Sequence, residues 1–274
     1  MTLPLRAVVT GAASGLGRAL SLELAQRGGR VVISDIDAKG SEATAEQVRE
    51  RGGEAHIIPC DVRDPAAVED LAASAREAMG AVDLVANNAG VAVGGAFEQV
   101  SLDDWRWIVD INLWGVVNGC RAFYPAMKER GRGYIINVAS LAGLVSGPQL
   151  APYNMTKAGV VALSEALHIE ARDHGVHVTA LCPSFFVTNI AQNARGAINQ
   201  RASAAIARAM QGSKVQAPEV AATAIDAVLA GQLYAVPMRD ARVMWRLKRA
   251  APGRFYSMAA GRIASYFMGL KRRG

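Results

Sequence analysis

The chain has 274 residues, of which 51% are hydrophobic and 20% charged, enough apolar material for one large α/β core and too little charge for a disordered chain. The net charge of +6 resides in the tail, where ten Lys or Arg face Asp240 alone between Arg239 and Gly274. The body is therefore net acidic, which excludes a nucleic-acid groove spread over the fold.

The start, MTLPLRAVVTGAASG, has no charged region ahead of a long apolar stretch, so no export signal is expected. LRAVVT reads as a buried strand, and Gly15 to Arg27 places Leu16, Ala19, Leu20 and Leu24 at helical spacing. RVVIS predicts a second strand, Ala38 to Arg51 a polar helix, and AHIIPC a third strand. Pro65 opens a third helix at a position where proline is tolerated, and VDLVAN is a fourth strand. A long helix is expected from Leu102 to Lys128, then the strand YIINVAS, a helix from Pro152 to about His174, and the strand VHVTALC. Residues 189 to 216 predict an exposed helical lid, residues 218 to 230 another helix, and LYAV a last short strand. The uncharged stretch from Gly133 to Thr156 is interrupted by Asn137, Ser146, Gly147, Pro148 and Gln149, so it does not predict a membrane span.

This alternation implies parallel strands, right-handed crossovers and helices on both faces, a doubly wound parallel sheet of the Rossmann type. One α/β domain is expected over residues 1–238, followed by a basic amphipathic C-terminal helical extension over 239–274.

TGAASGLG, Thr10 to Gly17, follows the first strand and opens the first helix. Its glycines let the backbone turn sharply and approach a ligand, while helix N-terminal amides and the dipole favour a pyrophosphate. Asp35, after the second strand, is placed to accept hydrogen bonds from adenosine ribose hydroxyls and to repel a 2′-phosphate, which favours NAD over NADP. The alternative is a loop or cap residue, as Asp37 is for the next helix. Arg18 and Lys39 are near enough to reach a 2′-phosphate, but solvated surface positions are expected for both.

Taken together, Thr10-Gly-Ala-Ala-Ser-Gly15-Leu-Gly17, Asp61-Val62, Asn87-Asn88-Ala89-Gly90, Asn112 in INLWG, Ser140, and Tyr153-Asn-Met-Thr-Lys157 resemble the short-chain dehydrogenase/reductase family in order and spacing, over roughly Leu5 to Val236. The resemblance implies a catalytic set of Asn112, Ser140, Tyr153 and Lys157, with Asn112 supporting a water-mediated proton relay. It implies cofactor contacts from Thr10, Gly11, Ser14, Gly15, Leu16, Gly17, Asp35, Asp61, Val62, Asn88, Ala89, Gly90, Tyr153, Lys157, Pro183 and Thr188. Asp61 would lie beside the adenine amino group and Thr188 beside the nicotinamide carboxamide. Ser184, in CPSFFVT, stands where the family usually has glycine.

Oxidising a secondary alcohol needs a base within hydrogen-bond reach of its hydroxyl. Free tyrosine titrates near pH ~10, so Lys157, one turn along the same helix face, is expected to lower the Tyr153 phenol. Ser140 would hold the substrate oxygen against Tyr153. The reading is an NAD-dependent oxidoreductase acting on a secondary alcohol or ketone. Leu141, Leu144, Val145, Leu150, Phe185, Phe186 and Ile190 suggest a hydrophobic substrate such as a steroid, lipid or cyclic alcohol. The alternatives are an NADP-dependent carbonyl reductase and a non-catalytic cofactor-binding protein of membrane attachment or interaction.

His56, His168, His174 and His177 have no ligand spacing, so no metal is expected, and Cys182 lacks an adjacent base. The wide spacing of Cys60, Cys120 and Cys182 suits a reduced, cytoplasmic setting. The resemblance implies a homodimer or homotetramer paired through helices 102–128 and 152–174. In the tail, Phe255, Met258, Ala259, Ile263, Tyr266, Phe267 and Leu270 recur at helical intervals before a basic cluster. Packing on the protein, peripheral contact with an anionic membrane surface, and disorder all remain open for it.

Overall fold

The computed structural model describes residues 4–191, 194–196 and 200–257. Seven strands, β1 (Arg6–Thr10), β2 (Arg30–Ser34), β3 (Glu54–Ile57), β4 (Leu84–Asn87), β5 (Gly133–Val138), β6 (Val176–Leu181) and β7 (Tyr234–Ala235), form one sheet in the order β3-β2-β1-β4-β5-β6-β7. Every pairing is parallel. The register sets Val32, Val8, Val85, Ile135 and Val178 side by side on five successive strands, and all five are inaccessible to solvent. Burial on both faces explains why these strands read as continuous apolar runs rather than as alternating patterns.

The helices are α1 (Gly15–Gln26), α2 (Ala38–Glu50), α3 (Pro65–Met79), α4 (Leu102–Val109), α5 (Gly115–Glu129), α6 (Leu141–Leu144), α7 (Ala151–Arg172), α8 (Gln200–Gln211), α9 (Ala217–Leu229) and α10 (Arg239–Ala250). α1 packs with α2 and α9, and α5 packs with α3 and α7, giving the two layers that sandwich the sheet. Their starts follow side-chain chemistry: Asp37 accepts from the Gly40 amide at 3.0 Å, Asp64 from Ala66 at 2.9 Å, and Ser101 from Asp104 at 3.1 Å. Gln216 and Glu219 close a capping box at α9.

The expected doubly wound sheet is observed, and most boundaries fall within two residues of expectation. The helix expected from Leu102 to Lys128 is not one uniform helix: a π turn over Asp110–Trp114 separates α4 from α5. In the expected lid, Asn189–Ala191 is a short 3-10 turn and Gln200–Gln211 is helical.

At the C-terminus, α10 packs against α6, and Ala241 and Phe255 join the same buried cluster as the sheet. Up to residue 257 the extension therefore packs on the protein, the first of its three expected fates. The apolar positions from Met258 to Leu270 lie outside the described residues. Among the described residues no helix is long and apolar enough to cross a membrane.

Candidate active site

Strand connections run in opposite directions from β1 and β4, so a crevice opens beyond their C-terminal ends, the usual location of ligand sites in open α/β sheets. A cavity of ≈ 690 Å³ occupies it. Of the residues expected to act on cofactor or substrate, all line this cavity except four: Thr10 and Asn112 stand buried behind its wall, and Leu144 and Val145, expected beside the substrate, are buried in the core cluster of the sheet instead.

The glycine turn forms one end. Gly11 has φ +63° and Gly15 φ +53°, conformations that glycine adopts without strain. A Cβ on Gly11 would come within 2.7 Å of the Ala89 Cα, and one on Gly17 within 2.1 Å of the Gly11 carbonyl oxygen, so both contacts require glycine. At Gly15 the nearest atom to such a Cβ would be Thr188 Cβ at 3.7 Å, which leaves a cradle between the turn and Thr188. The N-cap of α1, Ser14, makes no capping hydrogen bond with its side chain, unlike Asp37, Asp64 and Ser101, so the α1 amides are not capped by that side chain.

Asp35 lies at the adenosine end. One carboxylate oxygen accepts from the Ala13 amide at 3.0 Å and the other from the Asp37 amide at 3.0 Å, which fixes the group and leaves further lone pairs for hydroxyl donors. Asp61 is engaged by Arg63, whose side chain bonds both of its oxygens. Arg18 departs from its expected solvated position: it is half-buried and donates to Thr44 Oγ1 at 2.9 Å and to the Ala13 carbonyl at 2.5 Å, tying the glycine turn to α2. Lys39 is exposed, as expected.

Behind the turn, Thr10 Oγ1 accepts from the Asn88 and Ala89 amides at 3.0 and 3.1 Å, and Asn88 Nδ2 donates to the Thr10 carbonyl at 2.8 Å. Asn87 Nδ2 donates to Asn137 Oδ1 at 2.8 Å, and Asn137 Nδ2 to Ser164 Oγ at 3.0 Å. These satisfied buried amides lock β1, β4 and β5 together beneath the crevice.

At the other end stand Ser140, Tyr153 and Lys157. Ser140 leaves β5 and caps α6, accepting from the Ala142 amide at 3.1 Å. Tyr153 and Lys157 lie one turn apart on α7, and the Lys157 ammonium is 5.8 Å from the Tyr153 ring centroid. Lys157 Nζ donates to the Val138 carbonyl at 2.7 Å, and burial pushes its pKa down to about 8. The expected lowering of Tyr153 is not what the protein alone produces. Burial pushes that phenol up, and a hydrogen bond with Ser140 offsets only part of the rise. Asn112 Oδ1 accepts from the Val91 amide at 2.8 Å and its Nδ2 donates to the Val91 carbonyl at 2.9 Å, so its side chain pins the loop after β4 to the π turn. Ser184 sits beside Met238, whose sulfur accepts from the Ser184 amide at 3.3 Å.

The substrate side is apolar, with Ile111, Leu150, Phe185 and Phe186 on its walls and Ile206 and Met210 of α8 over it. Among the lining residues that sequence reasoning did not single out are Ile36, Trp107, Ile111 and Arg195. Ile36 is 76% exposed next to Asp35, and the guanidinium of Arg195 stacks over Trp107 at 3.9 Å from the ring centroid. Residue 195 also bridges to Val93 through the backbone, closing the rim. Burial pushes the Cys182 thiol up to about 12, and among the described residues no group of three or more His, Cys, Asp and Glu is placed to hold a metal ion.

The model of the short chain dehydrogenase family matches residues 6–199. SadH of Mycobacterium tuberculosis is 33% identical over 264 residues, covering 95% of this chain and 96% of that protein. The 1-deoxy-11-beta-hydroxypentalenate dehydrogenase of Streptomyces exfoliatus is 35% identical over 246 residues, 88% of this chain and 85% of that enzyme. A Burkholderia phymatum short chain dehydrogenase/reductase, solved in complex with NAD, superposes with a TM-score of 0.83 at 35% identity, covering 89% of this chain and 92% of that one.

Proposed function

The chain belongs to the short-chain dehydrogenase family, and from that premise we propose that it transfers hydride between NAD and a hydrophobic secondary alcohol or the corresponding ketone. The reading rests above all on the convergence of Ser140, Tyr153 and Lys157 on one end of a cavity whose other end is the Thr10–Gly17 turn and Asp35. The cradle at Gly15 and the N-terminus of α1, which the Ser14 side chain does not cap, suit a pyrophosphate. When bound, the nicotinamide supplies the hydride acceptor or donor.

In the oxidation direction Tyr153 takes the hydroxyl proton, and in reduction it returns one. Ser140 holds the substrate oxygen against it by hydrogen bonding. Lys157, fixed on Val138, carries a positive charge at neutral pH that favours the phenolate when the proton leaves. Asn112 supports the water-mediated relay from its position behind Gly90, where a Cβ would lie 3.3 Å from Asn112 Oδ1 and 3.5 Å from Lys157 Nζ. Asp61, Val62, Asn88, Ala89, Gly90, Pro183 and Thr188 contact the cofactor along the cavity wall.

Asp35 selects NAD: its fixed carboxylate would accept from ribose hydroxyls and repel a 2′-phosphate, while Arg18 is committed to Ala13 and Thr44. The NAD-bound Burkholderia phymatum relative supports this preference. An alicyclic substrate suits the apolar walls, and two similar proteins are named as a 1-deoxy-11-beta-hydroxypentalenate dehydrogenase and a levodione reductase, the latter with a TM-score of 0.75 at 27% identity. A homodimer or homotetramer through α4–α5 and α7 is supported by exposed Trp114, Met155 and Ile169 on those elements. A peripheral contact with anionic lipid draws on Val243 and Leu247, exposed one turn apart on the arginine-rich α10. A cytoplasmic setting is consistent with three free, buried cysteines.

The test is fluorescence titration of the purified protein and of Asp35→Asn with NADH and NADPH. The expected result is a preference for NADH that falls by at least about tenfold in the variant, as loss of a charge-assisted bond and of the repulsion requires. An unchanged ratio would remove Asp35 from the assignment.

A further inference from the structure

The wall that carries Ser140 is held from outside the part of the chain that the family model matches. Ser140 opens α6, a helix of four residues whose terminal carbonyls find few partners within so short an element. Lys248 of α10 donates from Nζ to the Leu144 carbonyl at 2.6 Å, placing a cation at the helix end where the dipole favours one. Two residues further on, the Ser146 amide donates to the Tyr256 hydroxyl at 3.2 Å. The Lys248 ammonium lies 5.8 Å from the Tyr256 ring centroid, so the two contacts brace each other. Phe255, buried and edge-on to Tyr256, anchors the end of the brace in the core.

The segment is packed on the core through Leu141, Leu144 and Val145, and its remaining hydrogen bonds to other elements lie at its ends. The Leu141 amide donates to the Pro183 carbonyl at 2.8 Å, and Asn154 Nδ2 donates to the Gly147 carbonyl at 2.7 Å. Between them, the other backbone bonds run within the segment itself, Gly143 to Ser140 and Val145 to Leu141. Lys248 and Tyr256 thus supply the hydrogen bonds that hold the backbone of its middle from the outer side.

We propose that Lys248 and Tyr256 are positioning residues for Ser140, clamping the outer side of the Ser140–Gly147 segment so that the serine hydroxyl stays directed at Tyr153. The inference rests on the reading of Ser140 and Tyr153 as the proton-handling pair. Neither clamp residue lines the cavity, so the clamp acts on substrate orientation and leaves nucleotide binding alone.

Full-length Lys248→Met, Lys248→Arg, Tyr256→Phe and the Lys248→Met/Tyr256→Phe pair provide the test. Amide hydrogen exchange needs no substrate: residues 141–146 should exchange at least about tenfold faster in the double variant, with the 11–17 turn unchanged. With a secondary alcohol from a panel of cyclic alcohols, kcat should fall about tenfold in the double variant while NADH affinity stays within about twofold. Lys248→Arg keeps a donor and should restore both quantities. Unchanged exchange in the double variant overturns the proposal, as does faster exchange with undiminished kcat, or a loss of NADH affinity as large as the loss of turnover. A parent protein that fails to bind NADH would instead overturn the proposed function, and the exchange arm would still decide the clamp.

Discussion

Replacing Lys157 with methionine has a consequence for stability that is separable from catalysis. The buried ammonium has its pKa lowered from 10.5 to about 8. Between those values the unfolded chain keeps a proton that the native protein has released, so this group adds stability as pH rises through that window. At roughly 1.4 kcal/mol per pH unit, the full gap corresponds to about 3 kcal/mol, with about 2 kcal/mol gained between pH 8 and 9.5. The buried thiols work the other way: burial raises Cys60 to about 11 and Cys120 and Cys182 to about 12. Their contribution is complete below the ordinary thiol pKa and is lost as pH rises toward those values. The diagnostic quantity is therefore the difference between proteins with and without Lys157, in which Cys60 and Cys120 cancel. Cys182 feels the Lys157 charge, so both proteins carry Cys182→Ala. Methionine keeps the volume and leaves the Val138 carbonyl without its donor, a pH-independent cost of about 1–3 kcal/mol. Urea unfolding at pH 7.5, 8.5 and 9.5 should show the Lys157 protein gaining about 2 kcal/mol on the methionine variant across the series. A difference that does not move with pH would refute the burial argument.

Two further substitutions probe the scaffold and the turn. Asp83 is buried at 4% side-chain exposure and accepts from Arg6 Nε and Nη2 at 2.8 and 2.9 Å and from the Arg6 amide at 3.2 Å. Burial raises its carboxyl, but Arg6 outweighs burial and leaves it below the ordinary value. Asp83→Asn should cost about 1–3 kcal/mol at pH 7 through the lost charge-assisted hydrogen bonds, because Arg6 is 32% exposed and its charge stays partly hydrated. That deficit should shrink in acid unfolding as pH falls below about 4 and the native carboxylate is protonated; a constant deficit down to pH 2 would contradict the pair's role. Gly17→Ala places a methyl group 2.1 Å from the Gly11 carbonyl oxygen, so NADH affinity should drop at least about tenfold on titration, and wild-type affinity would show that the turn relaxes freely.

Much of the architecture was legible because it depends on local pattern. The apolar runs LRAVVT, RVVIS and YIINVAS are what strands buried on both faces require, and Asp37, Asp64 with Pro65, and Ser101 mark helix starts through their own side chains. The π turn at Asp110–Trp114 was not legible, since widening one turn hardly disturbs apolar spacing and its partner, Val91, is distant in sequence. Arg18 was misplaced for a related reason: its acceptors, Ala13 and Thr44, become neighbours only when α1 and α2 dock. The candidate site was readable as a set of residue types at characteristic intervals, but the electrostatics of Tyr153 and Lys157 were not. Their pKa values depend on how completely β5, α6 and α7 exclude water, and that burial raises the phenol against the expected effect of the lysine. The hold of Lys248 on Leu144 is likewise a contact between residues far apart in the chain, invisible to periodicity.

The central claim is hydride transfer with Tyr153 handling the proton. The most direct measurement incubates the protein with NAD and secondary alcohols deuterated at the carbinol carbon, and follows deuterium into NADH by mass spectrometry for the parent and for Tyr153→Phe. Deuterium should appear with the parent and fall by at least about a thousandfold in the variant, while NADH titration gives both proteins the same affinity. Transfer at the parent rate by Tyr153→Phe would contradict the assignment of the base, and a parent protein that binds NADH yet transfers no deuterium from any alcohol of the panel would contradict the proposed reaction.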